Sequence, residues 1–342
     1  MNLVFTICSN NYLAQAISLG ASLLKHNPGY IFKICLVDRK NELIQYDQIP
    51  YELVEVEKIG ISSFDDMFRR YNITEFNTAV KPFYFQYFFN KLLTITNIIY
   101  LDPDILVYSP FTELDKVLEE NEIVITPHFT TPINDDKFQA ENDFLNSGLY
   151  NLGFLALKRS IESDSFLEWW AARLTKKAYI NFAKGMFTDQ LWINFAPLFF
   201  EKVHIFRHPG YNMAYWNLHE RVLNNSDSTY IVNKKFPLVF FHFSGYDPLI
   251  PQILSKYQNR FSLNQRTDIQ SLFENYSYVL IRNNFKSFSR IQCYFEKTKQ
   301  EDDKQTLKNN IRKIPLLKRA IRKIILKIIS ILNIEMDYSK MA

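Results

Sequence analysis

Glycine is scarce in this 342-residue chain, eight in all, and nowhere do glycines gather into the loop that cradles phosphates in P-loop and dinucleotide-binding folds. Cysteine is scarcer: Cys8, Cys35 and Cys293 have no metal-ligand spacing, and the first two fall in expected core strands. That argues against a cysteine metal site and fits a reducing cytoplasm. No run of 18 apolar residues exists, so no membrane span is expected. The chain opens directly on a short apolar strand, without the basic and long apolar regions of a signal peptide. Acids are missing from one region, between Lys304 and Ile334. From Lys304 on there are ten Lys/Arg against two acids, a net +8, which leaves residues 1–303 at −4 within the chain's +4. The body is mildly acidic, so no nucleic-acid partner is expected for it.

What the chain has is apolar substance, 47% of its residues, enough to bury a large core. Residues 3–8, 13–24 and 31–37 read strand, helix, strand, an alternation that predicts an α/β fold with a mostly parallel sheet. The organising stretch is 96–111. Its apolar run Ile98-Ile99-Tyr100-Leu101 reads as a buried strand, and Asp102 and Asp104 follow where that strand should end. In an extended segment residues i and i+2 project to one side, and Pro103 restrains the turn between them. Two carboxylates in one volume repel unless a cation sits between them, and the carboxyl end of a sheet strand is where open α/β folds place ligands. The bland alternative is a proline turn, but a second apolar run, Ile105-Leu106-Val107, wedges the pair between buried segments.

Other candidates lie at expected strand and helix ends. Ser9, Asn10 and Tyr12 occupy the loop after the first strand, where they can hold a nucleotide base or, for Tyr12, staple the helix start. Lys81 opens an apolar helix and can neutralise a diphosphate or snorkel to water. Asn151 and Gly153 precede an apolar strand, the amide suited to hydroxyls and the glycine to close approach. Asp189 and Gln190 stand ahead of what reads as a mostly apolar helix, offering a carboxylate and an amide at a cleft rim or simply a helix start. His242 emerges from the last core strand, either a metal ligand or a satisfied polar core residue. Residues 209–219, aromatic and amide-rich, suit a carbohydrate surface.

With Asp102-Pro103-Asp104, Asn151-x-Gly153, Asp189-Gln190 and His242-x-x-Gly245 in this order, residues 1–260 resemble the retaining glycosyltransferases of family 8. The resemblance implies the GT-A fold, a Rossmann-like, mostly parallel central sheet with flanking helices. It implies Mn2+ (or Mg2+) held by Asp102, Asp104 and His242 against the diphosphate of a nucleotide-sugar donor, UDP-linked in this family. Asp102, Asn151, Gly153 and Gly245 would then border that donor. Lys81 and the loop of Ser9, Asn10 and Tyr12 would lie on the nucleotide, and Asp189 and Gln190 beside the anomeric carbon, where a hexosyl or N-acetylhexosaminyl group transfers. One departure stands out: Gly245 leads into Tyr246-Asp247-Pro248 where the family carries Lys-Pro-Trp, and Lys256 is the candidate for the missing lysine.

The expected organisation is a glycosyltransferase domain over 1–260, a helical extension over 261–303 and a basic tail over 304–342. In the tail, apolar residues from Ile311 to Leu332 recur at spacings of three and four among Lys and Arg, with Pro315 near a helix start. Such a helix can dock on protein or lie in an anionic membrane surface, and the second is the expectation. The acceptor would be a saccharide or a lipid-linked saccharide of surface polysaccharide assembly, at the inner face of the cell membrane. A non-catalytic sugar- or nucleotide-binding protein and a metal-dependent nucleotidyltransferase are the competing readings.

Overall fold

A computed structural model describes residues 1–226, 229–296, 298, 299, 304 and 327. The chain divides into Met1–Phe295 and Glu296–Ala342. Apart from Lys304 and Lys327, the amphipathic tail expected over 304–342 lies outside the described residues. No helix among the described residues is long and apolar enough to cross a membrane.

The first unit is built on a seven-stranded sheet. Its strands are β1 (Asn2–Cys8), β2 (Ile31–Leu36), β3 (Glu52–Glu55), β4 (Asn97–Leu101), β6 (Ile123–Pro127), β7 (Tyr150–Lys158) and Val203–Ile205; β5 (Ile105–Val107) belongs elsewhere. The spatial order is Val203–Ile205, β6, β7, β4, β1, β2, β3. Four of the six pairings are parallel, and the two made by β7 are antiparallel. The mostly parallel α/β arrangement expected from the sequence is present.

Period-two alternation explains why both faces of the sheet are buried. Leu3, Phe5 and Ile7 of β1 join one apolar cluster with Ile98 and Tyr100 of β4, while Val4 and Cys8 join the other with Ile99 and Leu101. Helix α1 (Leu13–His26) covers the second cluster with Leu13, Ala16, Leu19 and Leu23, a helical stripe. The first is covered by the α-helices Lys81–Lys91 and Ile161–Lys177, through Phe85, Phe88, Phe166 and Trp170 among others.

A second, three-stranded sheet builds the site. β5 pairs antiparallel with Phe240–His242, which pairs parallel with Met213–Ala214, and the register sets His242 opposite Ile105. The apolar run after Asp104 thus recruits the strand that ends in His242.

The segment 261–303, expected as a helical extension, holds the helices Gln270–Arg282 and Phe285–Phe288, and Leu272, Phe273, Tyr276 and Leu280 share a cluster with Phe241 and Phe243. Two expectations change. The apolar helix expected after Asp189 is a 3-10 turn, Leu191–Phe195, followed by a four-residue helix, Ala196–Phe199. Pro197 explains it, since proline can open a helix but cannot continue one. Residues 209–219 do not form a carbohydrate surface; Tyr211, Asn212, Tyr215, Trp216 and Asn217 are all buried.

Candidate functional site

Beyond β4 the Asp102 N–H donates to the Gly153 carbonyl at 2.9 Å, carrying the pairing with β7 one residue past the strand. The Asp104 carbonyl accepts the Phe243 N–H at 2.8 Å, which fixes the acidic turn to the His242 strand. As a result His242 Nε2 lies 3.0 Å from Asp104 Oδ1 and 3.6 Å from Asp102 Oδ2. Taking one ligand atom from each residue, all lie within 4.8 Å of one another, and among the described residues this is the single such cluster. The aspartates are partly open, at 32% and 22%, whereas the imidazole is buried behind them at 3%. The Tyr100 hydroxyl donates to Asp102 Oδ1, which leaves the other oxygen facing the cluster.

Two carboxylates and one imidazole, buried on one side and open on the other, fit a hard divalent cation such as Mn2+ or Mg2+ that keeps positions for a ligand. Burial pulls the His242 pKa down, but the Asp104 and Asp102 carboxylates outweigh it, and the net direction is up. Ion binding requires the neutral ring, so a raised pKa means that protons compete with the ion over a wider pH range. Mn2+ affinity is therefore expected to rise as pH is increased through this raised pKa. Calorimetric titrations between pH 6 and 8.5 check it, and an affinity that falls with pH would contradict the His242 assignment.

Lys81 and Asp189 meet beneath this cluster. Lys81 Nζ is 2.6 Å from Asp189 Oδ2, with both side chains 3% exposed. The ammonium also donates to the Leu152 carbonyl at 2.9 Å and lies 4.1 Å from the Tyr100 ring centroid. It neither snorkels to water nor projects into an open cleft. Thr188, at φ 47°, turns the chain into Asp189, and the Trp170 indole N–H donates to the Asp189 carbonyl at 3.3 Å. Gln190 is engaged through both ends of its amide: Oε1 accepts from the Leu152 N–H at 3.1 Å and Nε2 donates to the Ser147 carbonyl at 2.9 Å.

The loop after β1 is braced in a similar way. Asn10 Nδ2 donates to Asp38 Oδ2 and to the Arg39 carbonyl, both at 2.8 Å, and Asn10 Oδ1 accepts from the Tyr46 hydroxyl at 2.6 Å. Ser9 Oγ donates to the Val37 carbonyl. Tyr12 is the exposed member, 42% accessible. Loss of solvent around its hydroxyl, then Asp104, Tyr257 and Asp102, push its pKa up to about 12, which places the hydroxyl near the acidic pair. Gly245, at φ +74°, accepts the Lys256 N–H at 3.1 Å, so the exposed Lys256 is tied to the turn that follows His242.

Two residues that sequence reasoning passed over sit behind the cluster. Buried His128 contacts Asn151 at 3.3 Å, and buried Asn212 contacts Asn151 at 3.0 Å and His242 at 3.4 Å. Burial lowers the His128 pKa to about 3, so its ring stays neutral. Its signal was available, because Pro127-His128 follows an apolar strand much as Asp102 follows β4. Asp38, holding Asn10 and the Tyr294 N–H, is likewise a strand-end residue.

A sequence model of Glycosyl transferase family 8 matches residues 3–247. Uncharacterized protein YfnF of Bacillus subtilis (strain 168) is 26% identical over 250 residues, covering 70% of this chain and 80% of that protein. Among solved structures, the galactosyltransferase LgtC in complex with donor and acceptor sugar analogs aligns at 18% identity and TM-score 0.49, over 81% of this chain and 95% of its own. The glycosyltransferase GlyE of Streptococcus pneumoniae TIGR4 aligns at 18% and TM-score 0.45, over 85% and 65%.

Proposed function

The chain belongs to glycosyl transferase family 8, and from that premise we propose that this glycosyltransferase moves a sugar from a UDP-linked donor, with retention, in an ion-dependent reaction. The observation that carries the ion-dependence is the meeting of Asp102, Asp104 and His242 at the carboxyl end of the sheet. These residues would hold Mn2+ or Mg2+, whose charge stabilises a departing diphosphate.

The protein's own contribution is positioning. Asp189 offers a carboxylate fixed by Lys81, so its charge is oriented before the donor arrives. Gly153 leaves space beside the cluster, where a Cβ would come within 2.7 Å of His242 Nδ1. Tyr12 and Lys256, both exposed near the acidic pair or the His242 turn, are the candidates for donor contacts. Asn10 and Gln190 act through the loops they brace. A panel of nucleotide sugars assayed for Mn2+-dependent hydrolysis tests this reading. Hydrolysis of a UDP-sugar that stops with EDTA supports it, and ion-independent binding without turnover would instead support a non-catalytic sugar-binding protein.

We also place the acceptor, a saccharide or lipid-linked saccharide of surface polysaccharide, at an anionic membrane. The support is the acid-free basic stretch between Lys304 and Ile334, where each basic residue near such a surface is worth up to ~1 kcal/mol. Truncation after Asp303 is expected to abolish binding to anionic vesicles while preserving donor hydrolysis in solution. Equal vesicle binding by both forms would contradict the placement.

A further inference from the structure

The two atoms of a side-chain amide, and the two nitrogens of a neutral imidazole, have the same shape but opposite hydrogen-bonding roles. Only a neighbour with a single possible role can settle which is which. Behind the Asp102, Asp104 and His242 cluster that neighbour is a backbone group. The Gly153 N–H can only donate, and it lies 3.1 Å from Asn151 Oδ1, so the amide atom there is oxygen. Asn212 meets the same oxygen at 3.0 Å and must present its Nδ2, which also reaches Thr126 Oγ1 at 3.0 Å. Its other atom, Oδ1, therefore faces His242 Nδ1 at 3.4 Å, where a hydrogen on the ring nitrogen completes the pair.

We propose that Asn212 is a positioning residue: it transmits the polarity of one backbone N–H to His242, keeps the ring hydrogen on Nδ1 and leaves Nε2 bare for a divalent cation. The proposal rests on the reading of Asp102, Asp104 and His242 as ion ligands. Without such control the neutral ring could carry its hydrogen on Nε2 and donate it to Asp104, only 3.0 Å away. That tautomer would close the site, because the nitrogen facing the carboxylates would have no lone pair to offer.

The far end of the relay agrees. Asn151 Nδ2 donates to His128 Nε2 at 3.3 Å, so His128 carries its hydrogen on Nδ1, 3.3 Å from the Leu149 carbonyl, which can only accept. A backbone donor and a backbone acceptor thus fix every amide and ring between them without conflict. All five side chains, Thr126, His128, Asn151, Asn212 and His242, are at least nine-tenths buried, where polar atoms must find partners.

Local backbone chemistry makes the joint possible. Asn212 sits at φ 53°, a left-handed conformation that asparagine tolerates better than most residues. A Cβ at position 153 would come within 2.8 Å of Asn151 Oδ1 as well as crowding the His242 ring. The Trp216 ring packs edge-on against both imidazoles, 5.1 Å from His242 and 5.3 Å from His128, holding the two ring planes.

The test is Mn2+ titration of the full-length protein by calorimetry, with circular dichroism as the check on folding. Asn212→Gly keeps the positive φ and removes the acceptor, and its Kd for Mn2+ is expected to rise about 10- to 100-fold, the usual cost of losing the group that orients a metal-bound histidine. A folded Asn212→Gly protein that binds Mn2+ as tightly as wild type would overturn the proposal. If the glycine variant fails to fold, nitrogen NMR of the His242 ring in the ion-free wild-type protein, at a pH where the ring is neutral, decides: a hydrogen on Nδ1 upholds the relay, and a hydrogen on Nε2 overturns it. A wild-type protein that takes up no Mn2+ would overturn the ligand reading, and the relay with it.

Discussion

Replacing Asp104 with alanine is expected to lower sugar transfer by about a thousandfold or more and to abolish Mn2+ uptake, while the protein stays folded. The two halves of that expectation come from different atoms. The fold depends on the Asp104 main chain, whose carbonyl accepts the Phe243 N–H at 2.8 Å. Its side chain is partly open and faces His242 across 3.0 Å, so its removal opens no core cavity. What it removes is one of the two carboxylates proposed to hold the ion where leaving-group charge would form, and at ~1.4 kcal/mol per tenfold a thousandfold loss needs about 4 kcal/mol of lost stabilisation. Initial rates with saturating Mn2+, alongside calorimetry, read both halves. Near-wild-type transfer by a folded Asp104→Ala protein would remove the ion from the reaction.

The second large effect falls on stability. Lys81→Met is expected to destabilise the protein by about 3–5 kcal/mol, because it strands the Asp189 carboxylate unpaired in a site that is 3% exposed. Solvent screening gives little relief at that depth. The double variant Lys81→Met/Asp189→Leu should recover much of the loss, since an apolar pair can replace a buried ion pair at small net cost, yet it should have no transfer activity. Urea denaturation of the three proteins distinguishes this from a phosphate contact by Lys81, for which the single variant would unfold like wild type and only the donor KM would rise.

The contrast between those two sites shows what a sequence can carry. Asp102 and Asp104 are legible because their relation is local: an apolar strand, a proline and an i, i+2 spacing lie in one stretch. His242 is legible as a strand-end residue, but that its strand would pair with β5, and so close on the acids, depends on a register between segments far apart in the chain. Lys81 was read from its place at a helix start, and its inward path toward Leu152 and Asp189 is set by partners that sequence spacing does not reveal. Asn212 was the hardest case. It lies among Tyr211, Tyr215, Trp216 and Asn217, a composition that suits a sugar-binding surface equally well, and only burial turns those rings and amides into the back wall of the site. The antiparallel hairpin of Leu223–Ser226 and Thr229–Val232 gave no clear alternation and was missed.

Asp102, Asp104 and His242 are proposed as one ion site that serves a nucleotide-sugar donor. Crystals grown with Mn2+ and UDP, measured at a wavelength where manganese scatters anomalously, test it most directly. One strong anomalous peak is expected within coordination distance of an oxygen of Asp102, an oxygen of Asp104 and His242 Nε2, with the diphosphate on the open side. Bound UDP with no anomalous peak at those three residues, or a peak held by other side chains, would contradict it.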